Sequence, residues 1–125
     1  MTKEQALYRF FSGFGLNAYE ENSVYDLDSV PEFPYITYEV STDDFYGGDI
    51  PISASLWYRS TSWNAANNKV KSISEFIGSG NMIKIDDGYM YLRKGSPFSQ
   101  SMGDSSDSAI KRKLLNLTVR FYTNN

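Results

Sequence analysis

The side chains of this chain that could do chemistry are carboxylates, hydroxyls and amines, because it contains no His and no Cys. That removes the commonest general base and nucleophile and the preferred zinc and copper ligands. Asp86-Asp87 and the pair Asp104 and Asp107 could hold a hard divalent cation. The second pair lies in Asp104-Ser-Ser-Asp-Ser, which has no central Gly and no closing Glu, so the full EF-hand pattern is missing. Turn acidity accounts for Asp86-Asp87, and a solvated loop accounts for the other pair. Glu39 with one of the Asp residues is formally a two-carboxylate set, but nothing places two carboxylates across a cleft. Ser and Lys are present without a local Ser-Lys signature. The reading is that the chain is not an enzyme and has no catalytic, cofactor-binding or metal-binding residues.

Nucleotide chemistry is also poorly served. Gly78-Ser-Gly80 follows a helical pattern instead of preceding one, so it does not cradle phosphate at a helix start. Lys94-Gly-Ser lacks the P-loop spacing. A net charge of -3 argues against binding nucleic acid mainly through phosphates, although a local basic patch is compatible with it. The basic cluster is Lys111-Arg112-Lys113, with Arg120 beyond it. It reads as a solvated strand end or as an electrostatic contact with an acidic partner surface, such as the 17–32 segment of another copy.

Aromatics are plentiful, with 10 Tyr and 8 Phe in 125 residues. They suit packing and protein contact surfaces. Trp57, Tyr58 and Trp63 flank the start of a helix, as a sugar platform would; a core corner is the simpler reading. No apolar run reaches the roughly 20 residues needed to span a bilayer. The first residues lack an apolar run behind a basic start, so no signal peptide is expected.

The positioning elements follow from periodicity. Thr2–Phe14 reads as a helix opened by a Thr2/Gln5 capping box, with Leu7, Phe10, Phe11 and Phe14 on one face. The acidic, aperiodic stretch Asn17–Pro34 reads as a long surface loop. Alternation predicts strands from Pro34 and over Ile50–Ser60, forming a hairpin whose tip, Asp43–Asp49, displays Asp43, Phe45 and Tyr46. Asn64–Ile77 is the second helix, striped by Ala66, Val70, Ile73 and Ile77, with Ser62 or Asn64 as its cap. Two short strands flank the turn Asp86-Asp-Gly88. Gly95–Ser108 reads as a flexible arm bearing Phe98 and Met102, too poor in apolar residues to order itself. Ala109–Tyr122 reads as a long last strand that protrudes or sits at an edge.

The expectation is one α+β domain over residues 1–125. It has a mixed, mainly antiparallel sheet with two helices on one face, in the order α-β-β-α-β-β-β, and flexible loops at about 15–33 and 95–108. The aromatic tip and the arm are devices the fold itself does not need, and the basic cluster is a candidate electrostatic contact. They make Asp43, Phe45, Tyr46, Phe98, Met102, Lys111, Arg112 and Lys113 the candidate contact residues.

In length, acidic balance and element order the chain resembles the tail terminator (tail-completion) proteins of long-tailed bacteriophages. The stretches that carry the likeness are the helix Thr2–Phe14, the strand Phe33-Pro-Tyr-Ile-Thr-Tyr-Glu39, Ser55-Leu-Trp-Tyr58 leading into Trp63–Ile77, and the long C-terminal strand. The resemblance implies a hexameric ring at the head-proximal end of the tail tube, which stops tube growth and offers a surface to the head. The implied partners are copies of itself, the tail tube protein and a head–tail connector protein, with no membrane, cofactor or specific nucleic-acid binding. The implied location is the virion, after assembly in the host cytoplasm. Other readings are a different head–tail adaptor, or a small ligand- or carbohydrate-binding module.

Overall fold

The structure, a computed structural model, describes residues 2–24, 29, 31–40, 48–103 and 106–123. It is an α+β chain built on a six-stranded, mostly antiparallel sheet. Its elements are α1 (Lys3–Ser12), β1 (Asn17–Glu20), α2 (Glu21–Val24), β2 (Tyr35–Val40), β3 (Ile50–Arg59), α3 (Asn64–Ile77), β4 (Asn81–Ile85), β5 (Gly88–Gly103) and β6 (Ile110–Thr123). The strands lie in the order β1-β2-β3-β6-β5-β4. The expected order α-β-β-α-β-β-β therefore lacks one strand and a short helix.

α1 starts as its sequence requires. Thr2 Oγ1 accepts from the Gln5 N–H at 3.1 Å, and Gln5 Oε1 accepts from the Thr2 N–H at 2.8 Å, so two orphan donors are satisfied reciprocally. Ala6, Leu7, Phe10 and Phe11 are its buried residues. The chain then turns through Gly15, whose φ of 82° suits glycine.

The segment expected to be a loop contains β1. Only Ala18 of Asn17–Glu20 is buried, so no alternation marks the strand. It forms because its backbone pairs parallel to β2, from Asn17↔Tyr35 to Glu20↔Tyr38. β2 and β3 make the expected antiparallel pair, from Tyr35↔Trp57 to Val40↔Ile52. α3 covers the expected residues and buries Ala66, Ile73 and Ile77; its N-cap is Trp63, with no side-chain capping bond, in place of the expected Ser62 or Asn64, although Ser62 Oγ accepts from the Asn64 N–H just ahead of it.

Two further expectations are corrected. Gly95–Gly103 belongs to strand β5, which pairs with β6 down to Gly103↔Lys111. Its order comes from backbone pairing, with a register shift between Lys94 and Ser99, and from Phe98, which packs against the core. β6 is also no edge strand. It pairs with β3 over Ile50↔Val119 to Arg59↔Ile110 and with β5 on its other side. Its length is matched by β5, so it does not protrude. On the described residues, β4 pairs only as far as Leu92, which leaves the outer edge of β5 beyond that point open.

One core holds the elements. Ala18, Ile36, Tyr38, Ile52, Ala54, Leu56, Leu92, Leu115, Leu117 and Val119 join the apolar residues of α1 and α3 in a single cluster. Phe11 stacks on Tyr38 at 4.5 Å between ring centroids, and Phe10 and Phe14 meet Phe76 of α3 at 5.8 and 5.7 Å.

Candidate functional site

Strand alternation gives the sheet a second surface, made of the residues that do not enter this core. Register places Tyr35, Trp57, Arg112 and Met102 in one row across β2, β3, β6 and β5. Tyr35, Trp57 and Arg112 of the row stack on one another. Tyr35 and Trp57 lie nearly parallel, 14° between planes and 6.0 Å between centroids. The Arg112 guanidinium sits 4.8 Å from the Trp57 ring centre. Tyr19 and Phe33 also meet the Tyr35 ring, edge-on at 6.1 Å and tilted at 5.3 Å.

Two hydrogen bonds pin the row to the strands beneath it. Trp57 Nε1 donates to Thr37 Oγ1 at 2.9 Å, and Arg112 Nε donates to Ser55 Oγ at 2.9 Å. Thr37 and Ser55 are the buried polar residues among the described residues, and these bonds satisfy them. Burial, and then the charge of Tyr19, push the Tyr35 hydroxyl above its ordinary value. At the β1 end of this surface Glu21 lies beside Glu39. Burial raises the Glu21 carboxyl, the Glu39 charge and their shared hydrogen bond raise it further, and Arg112 opposes them.

Toward the β4 edge the same surface carries a second patch. Lys84 lies 5.1 Å from the Tyr89 ring centre, Arg93 5.7 Å from that of Tyr91, and Arg120 5.7 Å from that of Tyr122. Arg93 also pairs with Asp49 at 2.7 Å.

The candidate residues from the sequence are scattered by the fold. Asp43, Phe45 and Tyr46 lie outside the described residues. Phe98 packs against the core with Lys94 5.7 Å from its ring centre, whereas Met102 is exposed at the end of the Arg112 row. The basic cluster is divided by strand alternation. Lys111 and Lys113 lie over the Trp63 ring at 5.6 and 5.1 Å, and Arg112 faces the opposite way, over Trp57. Lys111 Nζ donates to the Ser108 carbonyl, and Lys113 Nζ to Ser101 Oγ at 2.5 Å. Trp57, Tyr58 and Trp63 form no common platform, since Tyr58 is in the core and Trp57 is on the other side of the sheet.

Asp86 and Asp87 occupy the β4–β5 turn, and Asp107 pairs with Arg59 at 2.6 Å; Asp104 is outside the described residues. Among the described residues, no group of three or more acidic side chains could hold a metal ion. No described helix is long and apolar enough to cross a membrane.

Two grooves flank α1. One of about 380 Å³ is lined by Phe10, Phe14, Phe76 and Ile83. The other, of about 600 Å³, is lined by Glu4, Tyr8, Tyr19, Glu20 and Tyr38. Burial pushes the Tyr38 hydroxyl up to about 12, helped by the charges of Glu20 and Tyr8.

The Tyr35–Trp57–Arg112 row was not singled out from the sequence. Its signal was there: Tyr35 and Thr37 share a side of one strand, and Ser55 and Trp57 share a side of the next. Setting the hairpin register would have placed Trp57 opposite Tyr35. No family model matches the chain, and no curated protein is detectably similar to it.

Proposed function

We propose that this chain is a structural subunit that assembles with copies of itself and with other virion proteins, and that it is a tail terminator. In this reading it forms a ring, hexameric as in the family it resembles, on the tail tube protein at the head-proximal end. It blocks further tube growth and meets a head–tail connector protein, with no catalytic step and no cofactor. α1 and α3 back the sheet on the side lined by Ile36, Leu56 and Leu115; on the opposite side Tyr35 is buried within the chain, and Trp57, Arg112 and Met102 are the part of the row partners could reach.

The observation that carries the reading is the Tyr35–Trp57–Arg112–Met102 row. Stacked aromatics and a guanidinium, pinned by buried hydroxyls on a broad sheet surface, have the composition of protein-contact centres. The open edge of β5 is a second contact element, able to accept a strand. A carbohydrate module is less well supported, because its aromatic trio is split between two sides of the sheet.

The test is the mass of the purified protein by light scattering across a concentration series, with electron microscopy of any large species. A closed ring is the expected result. A strict monomer at every concentration overturns the self-assembling subunit.

A further inference from the structure

One flank of the sheet is open and carries none of the usual guards. Beyond Leu92, β5 has no described strand on the side away from β6, and over Ser99–Gly103 it pairs with β6 alone. Gln100, Ser101, Met102 and Gly103 are all exposed, and a Cβ added to Gly103 would meet nothing within 4 Å. An edge strand is ordinarily kept from pairing with another chain by charged side chains, Pro or a bulge. Here Pro97 and the register shift lie upstream, between Lys94 and Ser99. Ser99-Gln-Ser-Met-Gly103 itself contains no charge and no Pro. The other described edges are guarded. β4 exposes Lys84 and turns at Asp86-Asp87, and β1 is 4 residues long, carries Glu20 and buries Ala18.

We infer that two copies of this chain pair edge to edge through Ser99–Gly103, antiparallel about a twofold axis at Ser101. The inference rests on the reading of the chain as a self-assembling subunit and says which strand the β5 edge accepts. An open row of N–H and C=O groups takes extended backbone. Among the described edges, the same segment of a second copy is the one that brings no charge to the contact. Pairing centred on Ser101 sets Ser101 against its counterpart, Gln100 against Met102 and Ser99 against Gly103, so no like charges meet. Residues directly opposite share a side of the sheet, and Gln100 and Met102 lie on the Arg112 side. Gln100 of one copy therefore covers Met102 of the other, which is 40% exposed in the single chain. The Tyr35–Trp57–Arg112–Met102 row then runs on into the second sheet. Five residues a side fall short of the roughly 1,000 Å² of a stable interface, so the pairing is weak and reversible. A twofold contact closes on two copies, so it adds to the contacts of a ring and does not replace them.

Sedimentation velocity across a concentration series compares the parent with Ser101→Lys, Ser101→Glu and an equimolar mixture of the two. Each variant alone sets like charges against each other at the axis and is expected to self-associate about fivefold more weakly than the parent, or weaker still. The mixture sets Lys against Glu and is expected to recover association to within about twofold of the parent. Ser101 Oγ accepts from Lys113 Nζ, and both substitutions disturb that bond. The mixture carries the same disturbance, so recovery isolates the contact between copies. Circular dichroism checks the fold of each variant. Unchanged assembly of both variants overturns the pairing while the subunit reading stands. Weakening without recovery in the mixture also overturns it. Loss and recovery in a parent that forms pairs but no closed ring upholds the pairing and counts against the ring. A parent protein that is monomeric throughout overturns both.

Discussion

Replacing Arg112 by Lys keeps the charge and removes the geometry. A lysine amine can still reach over Trp57, but it has no Nε to donate to Ser55 Oγ, a bond of 2.9 Å to a residue only 4% exposed. A hydrogen bond from a charged group contributes about 1.5–3 kcal/mol, and a half-exposed cation–π contact about 0.5–1 kcal/mol. Lysine keeps most of the second contribution and loses the first, so the expected loss is about 1.5 kcal/mol. In a chain of this size that lowers Tm by roughly 5 °C. Urea unfolding followed by far-UV circular dichroism, at a concentration where only monomer is present, measures the change. A double-mutant cycle with Ser55→Ala should return a coupling of about 1 kcal/mol. An unchanged urea midpoint for Arg112→Lys, with a coupling below about 0.3 kcal/mol, would refute the idea that Arg112 is held in the stack. It would leave Arg112 as a loose surface charge.

Phe11→Ala should destabilise by about 3–5 kcal/mol, read from the urea midpoint, because Phe11 is 1% exposed and stacked on Tyr38. Gly88→Ala should cost about 2 kcal/mol or more, since an added Cβ would lie 1.9 Å from the Tyr122 carbonyl oxygen; a thermal melt near the parent's would count against this. Glu21→Gln should make stability less dependent on pH. The Glu21 carboxyl is raised in the fold, so its contribution is fully present below its ordinary value of 4.5 and is lost as pH rises through the raised value. The Gln variant should therefore be the more stable form at neutral pH and lose that advantage in acid, as urea midpoints across the series would report.

The elements legible in the sequence are those whose own side chains carry a period. α1 declares its cap through Thr2 and Gln5, and α3 its stripe through Ala66, Ile73 and Ile77. β3 alternates over most of its length, and β2, buried on both sides over Tyr35–Tyr38, is legible through its β-forming residues. The failures share a cause. β1 buries only Ala18, and the far half of β5 is Ser- and Gly-rich with Phe98 its one side chain against the core, so in each case most of the ordering comes from a neighbour's backbone that no local pattern encodes. The contact residues show the same limit. Lys111, Arg112 and Lys113 read as one cluster because they are adjacent, but a strand sends alternate side chains to opposite sides. Arg112 belongs with Trp57, and Lys111 and Lys113 belong with Trp63. The Tyr35–Trp57 stack required the hairpin register to be followed across strands.

The half-open edge of β5 has a consequence for solvent access to its amides. Beyond Leu92 this strand has β6 on one side and no described strand on the other. In an antiparallel ladder successive residues direct their N–H groups alternately toward the two flanks. Over Ser99–Gly103, every second amide should therefore be shielded by β6, and those between should exchange with deuterium almost as freely as in a loop. Pro97, which has no N–H, falls within the irregular stretch between Lys94 and Ser99 and interrupts the accessible row. The edge is thus divided into a short segment next to β4 and a separate one ending at Gly103. Selective protection of the fast-exchanging set on addition of a partner would identify which segment takes up a new strand.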